Sequence, residues 1–268
     1  MTAFEAPRSL DSSNGQRPDD MPAAQRASSC QPRPFVKICG IQDERTLMGM
    51  DGLTVDYIGF VFAKSKRQVT PEQAASLLAA ASRTAMAGGR APRAVGVFVN
   101  PTMDELAAVL EKVELDVIQL HGQEPPAFCR EVGVRFGVEV WRALPAEEAA
   151  AKPAEGSLAV TAVVSAGDAQ PAGPARLAEY AGAISAVLLD TAGGGTGRAF
   201  RWNVIPAYQA EAARFGLKLF VAGGLTPDNV EDLISQYAPD GVDISSGVET
   251  DGAKDNAKIA AFAERVNK

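Results

Sequence analysis

The chain has 268 residues, 46% hydrophobic and 22% charged, with 25 glycines and 17 prolines, a composition that fits a globular protein with ample core material and excludes a collagen, a coiled coil or a chain disordered throughout. A formal net charge of −7 argues against a general nucleic-acid or anionic-membrane binder, since such partners call for a basic face, although a local basic patch can still hold a phosphate. Cys30, Cys39 and Cys129 are too scattered for a disulfide framework or a zinc site, no run approaches the ~18 apolar residues of a membrane helix, and the N-terminus lacks the order of a secretory signal; the expectation is a cytoplasmic protein with a small-molecule partner.

Residues 1–34 are rich in Ser, Pro, Gln, Asp and Arg and carry no apolar period, so they are expected to form a disordered extension, with Met21 as a second possible translation start. From Phe35 onward, short apolar or β-branched runs recur at 35–38, 57–62, 94–99, 117–120, 138–141, 186–189, 218–221 and 241–244. Most are nearly continuous rather than alternating, the pattern of parallel strands covered on both faces. Segments with helical spacing lie between them. Thr70-Pro71 with Gln73 and Thr102 with Glu105 read as capping boxes, and Thr226-Pro227 as a further helix start.

Eight strand–helix units predict a TIM (β/α)8 barrel, an α/β fold forming a single domain over residues 35–268. An open doubly wound sheet would usually carry a glycine-rich dinucleotide turn after its first strand, where this chain has Cys39-Gly40. The Ala-, Pro- and Gly-rich stretch over 146–183 interrupts the rhythm and reads as an insertion around the fifth helix. Its apolar run at 158–164 is an alternative fifth strand, which would make 138–141 peripheral.

In such a barrel the chemistry lies where the strand C-termini meet. Those ends carry Cys39, Arg67, His121, Asp190, the run Gly193-Gly194-Gly195-Thr196-Gly197, Gly223-Gly224, and Asp243 with Ser245-Ser246-Gly247. The three glycine-bearing loops can aim backbone N–H groups at a phosphate, or can simply allow tight turns. Asp190 ends an apolar run, where its pKa would tend to rise; it suits a general acid or, equally, a helix N-cap. Cys39 is either a small buried hydrophobe or, if its neighbours lower its pKa, a thiolate base. Arg67 can grip a carboxylate through two parallel N–H bonds or lie on the solvated surface. His121, the only histidine, is read as packing against or orienting a substrate, and its solitude argues against a histidine metal cluster.

Taken together, the motifs resemble phosphoribosylanthranilate isomerases. The matching runs, in order, are Val36-Lys37-Ile38-Cys39-Gly40, Gly59-Phe60-Val61-Phe62 with Ser65-Lys66-Arg67, Val95-Gly96-Val97-Phe98 and Gln119-Leu120-His121-Gly122. They continue with Leu188-Leu189-Asp190-Thr191, Gly194 to Gly197, Ala222-Gly223-Gly224-Leu225, and Asp243-Ile244-Ser245-Ser246-Gly247-Val248-Glu249. The resemblance implies an Amadori rearrangement without metal or organic cofactor. By the same resemblance Cys39 is the general base and Asp190 the general acid, with their pKa values perturbed in opposite directions. Arg67 would hold the anthranilate carboxylate, with His121 and Asp243 also expected at the substrate. Gly194, Gly195, Thr196, Gly197, Gly223, Gly224, Ser245, Ser246 and Gly247 are expected at the phosphate, and a monomer is expected. The chain departs from the family pattern in its extension, its long 146–183 segment and Arg201, where Asp is common. An indole-glycerol-phosphate synthase would rely on lysines and glutamate at the strand ends, a bifunctional histidine–tryptophan isomerase would be expected to carry Asp at position 39, and a silent binding barrel would be free to lose the acid and base.

Overall fold

A computed structural model describes residues 33–86, 88–147, 172–191 and 201–268. Nearly all of the expected extension, the 158–164 run and the glycine loop 193–197 lie outside the described residues. Eight parallel strands close into a barrel in chain order, with β8 returning to pair with β1. They are β1 Phe35–Cys39, β2 Tyr57–Val61, β3 Arg93–Phe98, β4 Val117–Leu120, β5 Glu139–Pro145, β6 Ala186–Asp190, β7 Lys218–Val221 and β8 Gly241–Ile244. The helices are α1 Glu44–Met48, α2 Pro71–Ala81, α3 Met103–Leu110, α4 Pro126–Phe136, α5 Ile205–Arg214, α6 Val230–Tyr237 and α7 Asn256–Val266.

The local signals decided most boundaries. Thr70 and Thr102 each accept from the backbone N–H three residues on, while Gln73 and Glu105 reach back to the cap N–H, as their spacing predicted. The start expected at Thr226-Pro227 falls later, at Val230. Thr226 N donates to Asn229 Oδ1 at 2.8 Å and Asp228 N to Thr226 Oγ at 3.2 Å, and these side-chain bonds hold a turn where a helix was expected.

The fifth strand stands as first read: β5 pairs with β4 on one side and β6 on the other, so the run at 138–141 belongs to the barrel rather than being peripheral. Among the described residues after β5 the regular element is a 3-10 helix, Gly173–Tyr180, rather than an α-helix.

Apolar residues fill two spaces. The larger lies between strands and helices and includes Ile38, Phe60, Ile118, Val187 and Phe262, all fully buried. The smaller fills the barrel itself, from Tyr57, Val95, Val117, Trp141, Ala186, Leu188 and Phe220. Trp141 packs on Phe220 at 4.4 Å between ring centroids and on Tyr57 at 4.8 Å. A Cβ on Gly241 would stand 2.3 Å from the Phe220 ring, so β8 passes this plug without a side chain. The barrel is thereby a packed core toward the strand N-termini and open only at the other end.

Candidate active site

Strand side chains alternate between the two faces, so Lys37 and Cys39 of β1 both point into the barrel, with Cys39 at the strand's open end. The open end holds a cavity of about 730 Å³ lined by Cys39, Arg67, Gln119, His121, Asp190 and Asp243, together with Gly223, Gly224, Ser245, Ser246 and Gly247. Its volume suits a small phosphorylated metabolite. Of the expected site residues, only Gly194, Gly195, Thr196 and Gly197 lie outside the described residues; the structure brings all the others to one mouth.

Cys39 is buried, and Ser245 Oγ donates to its carbonyl at 3.0 Å. Burial pushes its thiol above the ordinary value. Lys37 is the main opposing influence, with Lys254 beside it, while Asp243 adds to the rise. The lowering that a resting thiolate requires is therefore not present, because the cost of burying the anion outweighs two nearby cations.

Lys37 received no role from the sequence, yet it is a fully buried cation whose Nζ donates to Asp243 Oδ1 at 2.9 Å. Burial pulls its pKa down, but Asp243 and Cys39 outweigh burial and leave it raised. Its signal was the i, i+2 spacing from Cys39: a lysine sharing a buried strand face must have a partner. Asp243, expected at the substrate, lines the cavity with one oxygen already committed to Lys37.

Asp190 is buried at the end of β6. Its Oδ1 accepts from Thr191 N at 2.7 Å, and its Oδ2 lies 3.4 Å from His121 Nε2. His121 is thus placed beside the candidate acid. The loop that carries it is held from β5, where the buried Arg142 donates to Leu120 O at 2.9 Å and to Gly122 O at 2.7 Å.

Arg67 lies across the end of β1 in the cavity wall and is buried rather than solvated, at 9% exposed. A Cβ on Gly40, whose φ is +81°, would stand 2.6 Å from Arg67 Cδ; glycine both permits that backbone and makes room for the side chain. Arg67 Nε and Nη2 donate to the Glu249 carboxylate at 2.6 and 3.1 Å. Lys254 Nζ reaches the same carboxylate at 2.9 Å and Ser245 O at 2.9 Å. Against the upward pull of burial, Arg67 and Lys254 hold Glu249 down at about 2. Glu249 and Lys254 were not singled out for a role from the sequence, because neither ends a barrel strand; they belong to the small antiparallel pair β9 Glu249–Thr250 and β10 Ala253–Lys254 that follows β8.

Comparisons with known proteins identify the family. The family model described as N-(5'phosphoribosyl)anthranilate (PRA) isomerase matches residues 36–165 and 157–265. The chain is 46% identical over 237 residues to the N-(5'-phosphoribosyl)anthranilate isomerase of Brevibacillus brevis, covering 86% of this chain and 92% of that protein. Against the enzyme of Geobacillus thermodenitrificans the identity is 38%, over 86% and 92% of the two chains. The crystal structure of the isomerase from Thermus thermophilus superposes with a TM-score of 0.67 at 30% identity, over 87% of this chain and 98% of that one. A phosphoribosyl anthranilate isomerase solved in complex with reduced 1-(o-carboxyphenylamino)-1-deoxyribulose 5-phosphate gives 0.64 at 28% identity, with coverage of 87% and 98%. This chain belongs to the N-(5'-phosphoribosyl)anthranilate isomerase family, the aldose–ketose isomerases of tryptophan biosynthesis.

Proposed function

We propose that the chain rearranges N-(5-phosphoribosyl)anthranilate to 1-(2-carboxyphenylamino)-1-deoxyribulose 5-phosphate with Cys39 as general base, Asp190 as general acid and Arg67 as the anchor of the anthranilate carboxylate. The observation that carries this reading is the convergence of Cys39, Asp190 and Arg67, from three different strand ends, on one cavity. Asp190, in its acid form, gives a proton to the furanose ring oxygen as the C1–O bond breaks, and the nitrogen lone pair closes a C1=N Schiff base. Cys39 then removes the C2 proton; the C–H electrons form C1=C2, and the C1=N electrons return to nitrogen. The resulting enolamine tautomerises to the ketone.

Gly223, Gly224, Ser245, Ser246 and Gly247, with Gly194 to Gly197, are proposed to hold the phosphate, remote from the reacting carbons, and so to supply binding energy that orients the sugar. His121 and Asp243 face the same substrate. Burial holds the thiol of Cys39 above its ordinary value, so turnover should climb as pH rises into the alkaline range. We further propose a monomer working in the cytoplasm: among the described residues the exposed large apolar ones, Met48, Val99 and Val134, lie far apart in the chain and are the scattered kind that needs no partner. Light scattering on the eluting peak of a sizing column tests the monomer.

The direct test generates phosphoribosylanthranilate in place from anthranilate and phosphoribosyl pyrophosphate with its transferase and follows the loss of its fluorescence. The wild-type chain should clear it rapidly. Asp190→Asn should remove about 10²–10⁴-fold of turnover, the size of a lost general acid, and near-normal turnover would sink its role.

A further inference from the structure

We propose that Glu249 is a positioning residue for Arg67: it occupies one edge of the guanidinium, so that the remaining edge is turned to the substrate carboxylate, and it thereby contributes to the preference for a carboxylated arylamine. The proposal rests on the assignment of Arg67 to that carboxylate.

The geometry is that of a saturated carboxylate. Oε1 accepts from Arg67 Nε at 2.6 Å and from Lys254 Nζ at 2.9 Å, and Oε2 accepts from Arg67 Nη2 at 3.1 Å and from Lys66 Nζ at 3.3 Å. A carboxylate with both oxygens occupied by cations has no part in moving protons; its effect is to fix what surrounds it. Its side chain and that of Lys254 are nearly inaccessible, at 7% and 3% exposure, so neither can rotate away without stranding a buried charge. Lys254 is itself held by Ser245, donating to its carbonyl and to Oγ, and Ser245 Oγ is bonded to Cys39 O. The clamp is therefore tied to the strand that carries the base.

A guanidinium has five N–H donors in a rigid plane. Glu249 takes the Nε/Nη2 edge of Arg67, which leaves the Nη1/Nη2 edge for a second carboxylate. Three cations, Lys66, Arg67 and Lys254, share the single negative charge of Glu249, so the clamp remains net positive and attracts an anion while fixing its direction. Without Glu249 the arginine would be free to swing on its long side chain, and binding of the carboxylate would have to order it.

Calorimetric titration with two ligands tests this on the full chain: the reduced 1-(o-carboxyphenylamino)-1-deoxyribulose 5-phosphate, and its phenylamino counterpart lacking the carboxyl group. Glu249→Gln should weaken the carboxylated ligand about tenfold, roughly one oriented charge-assisted hydrogen bond, and the other ligand less than about twofold on the same scale. A parallel loss for both ligands would mark a general structural role and overturn the proposal. Unchanged or tighter binding of the carboxylated ligand would overturn it too. Glu249→Asp, which keeps the charge but is one methylene too short to hold both Nε and Nη2 while still meeting Lys254, serves if the first variant does not fold and should show the same selective loss. If the wild type binds both ligands equally, the assignment of Arg67 to the carboxylate fails first, and that result is recognisable without any variant.

Discussion

The two ends of the barrel are held by opposite means. Toward the strand N-termini, Tyr57, Trp141 and Phe220 interlock as rings, a region stabilised by removing apolar area from water and by close packing. At the mouth, Lys37–Asp243 and Arg67–Glu249–Lys254 are charges taken out of water, and such groups add little net stability because desolvation offsets their attraction. The plug maintains the barrel; the mouth spends stability on holding ions in fixed places. The lesson is that burial alone does not identify a site, whereas burial of charge at the strand C-termini does.

Variants at the two ends should separate these roles. The largest effects should come from Cys39→Ala and Asp190→Asn, which remove most turnover while leaving the melting temperature and the affinity for a phosphorylated ligand nearly unchanged; loss of affinity alone, with turnover intact, would contradict both roles. Trp141→Ala should do the reverse, costing about 3–5 kcal/mol of stability for a large buried aromatic, visible as a lower denaturant midpoint, with the turnover of the folded fraction preserved.

Lys37→Met joins the two kinds of effect. It strands the buried Asp243, which should lower stability by about 3–5 kcal/mol. It also removes the principal influence lowering the Cys39 thiol, so the alkaline rise of kcat/KM should move to still higher pH; an unmoved pH profile would show that Lys37 does not act on the thiol.

Acid should loosen the mouth before the plug. Glu249 sits at about 2 in the folded chain, below the ordinary carboxylate range, so its ion pairs contribute in full above that ordinary range and are lost as pH falls through about 2. Acid titration of the wild type and Glu249→Gln should therefore converge toward the low end of that window. The smallest effect should come from removing residues 2–32. Arg33 should be kept, since its guanidinium donates to Asp56 at 2.7 and 2.8 Å, just inside the boundary of 34 expected from composition. A large loss of activity in the shortened chain would mean that the N-terminal segment docks on the barrel.

The strands, the eight-unit rhythm of the barrel and the capped starts of α2 and α3 are legible in the residues alone, because each depends on residues a few positions apart: an apolar run, or a threonine and the side chain three residues on. The sequence also placed Cys39 and Asp190 at strand ends, since a polar residue closing an apolar run is a local signal. Where two local signals competed, as at Thr226 and Asn229, the reading missed the helix start by three residues, from Pro227 to Val230. The meeting of Lys37 with Asp243 across 206 positions and of Arg67 with Glu249 across 182 emerges only from the assembled barrel. Barrel closure sets β8 beside β1 and brings the β9–β10 pair to the end of β2, and no periodicity in either segment records that register. Burial of the Cys39 thiol had the same origin: the cost of an anion there depends on the walls around it, which come from strands distant in the chain.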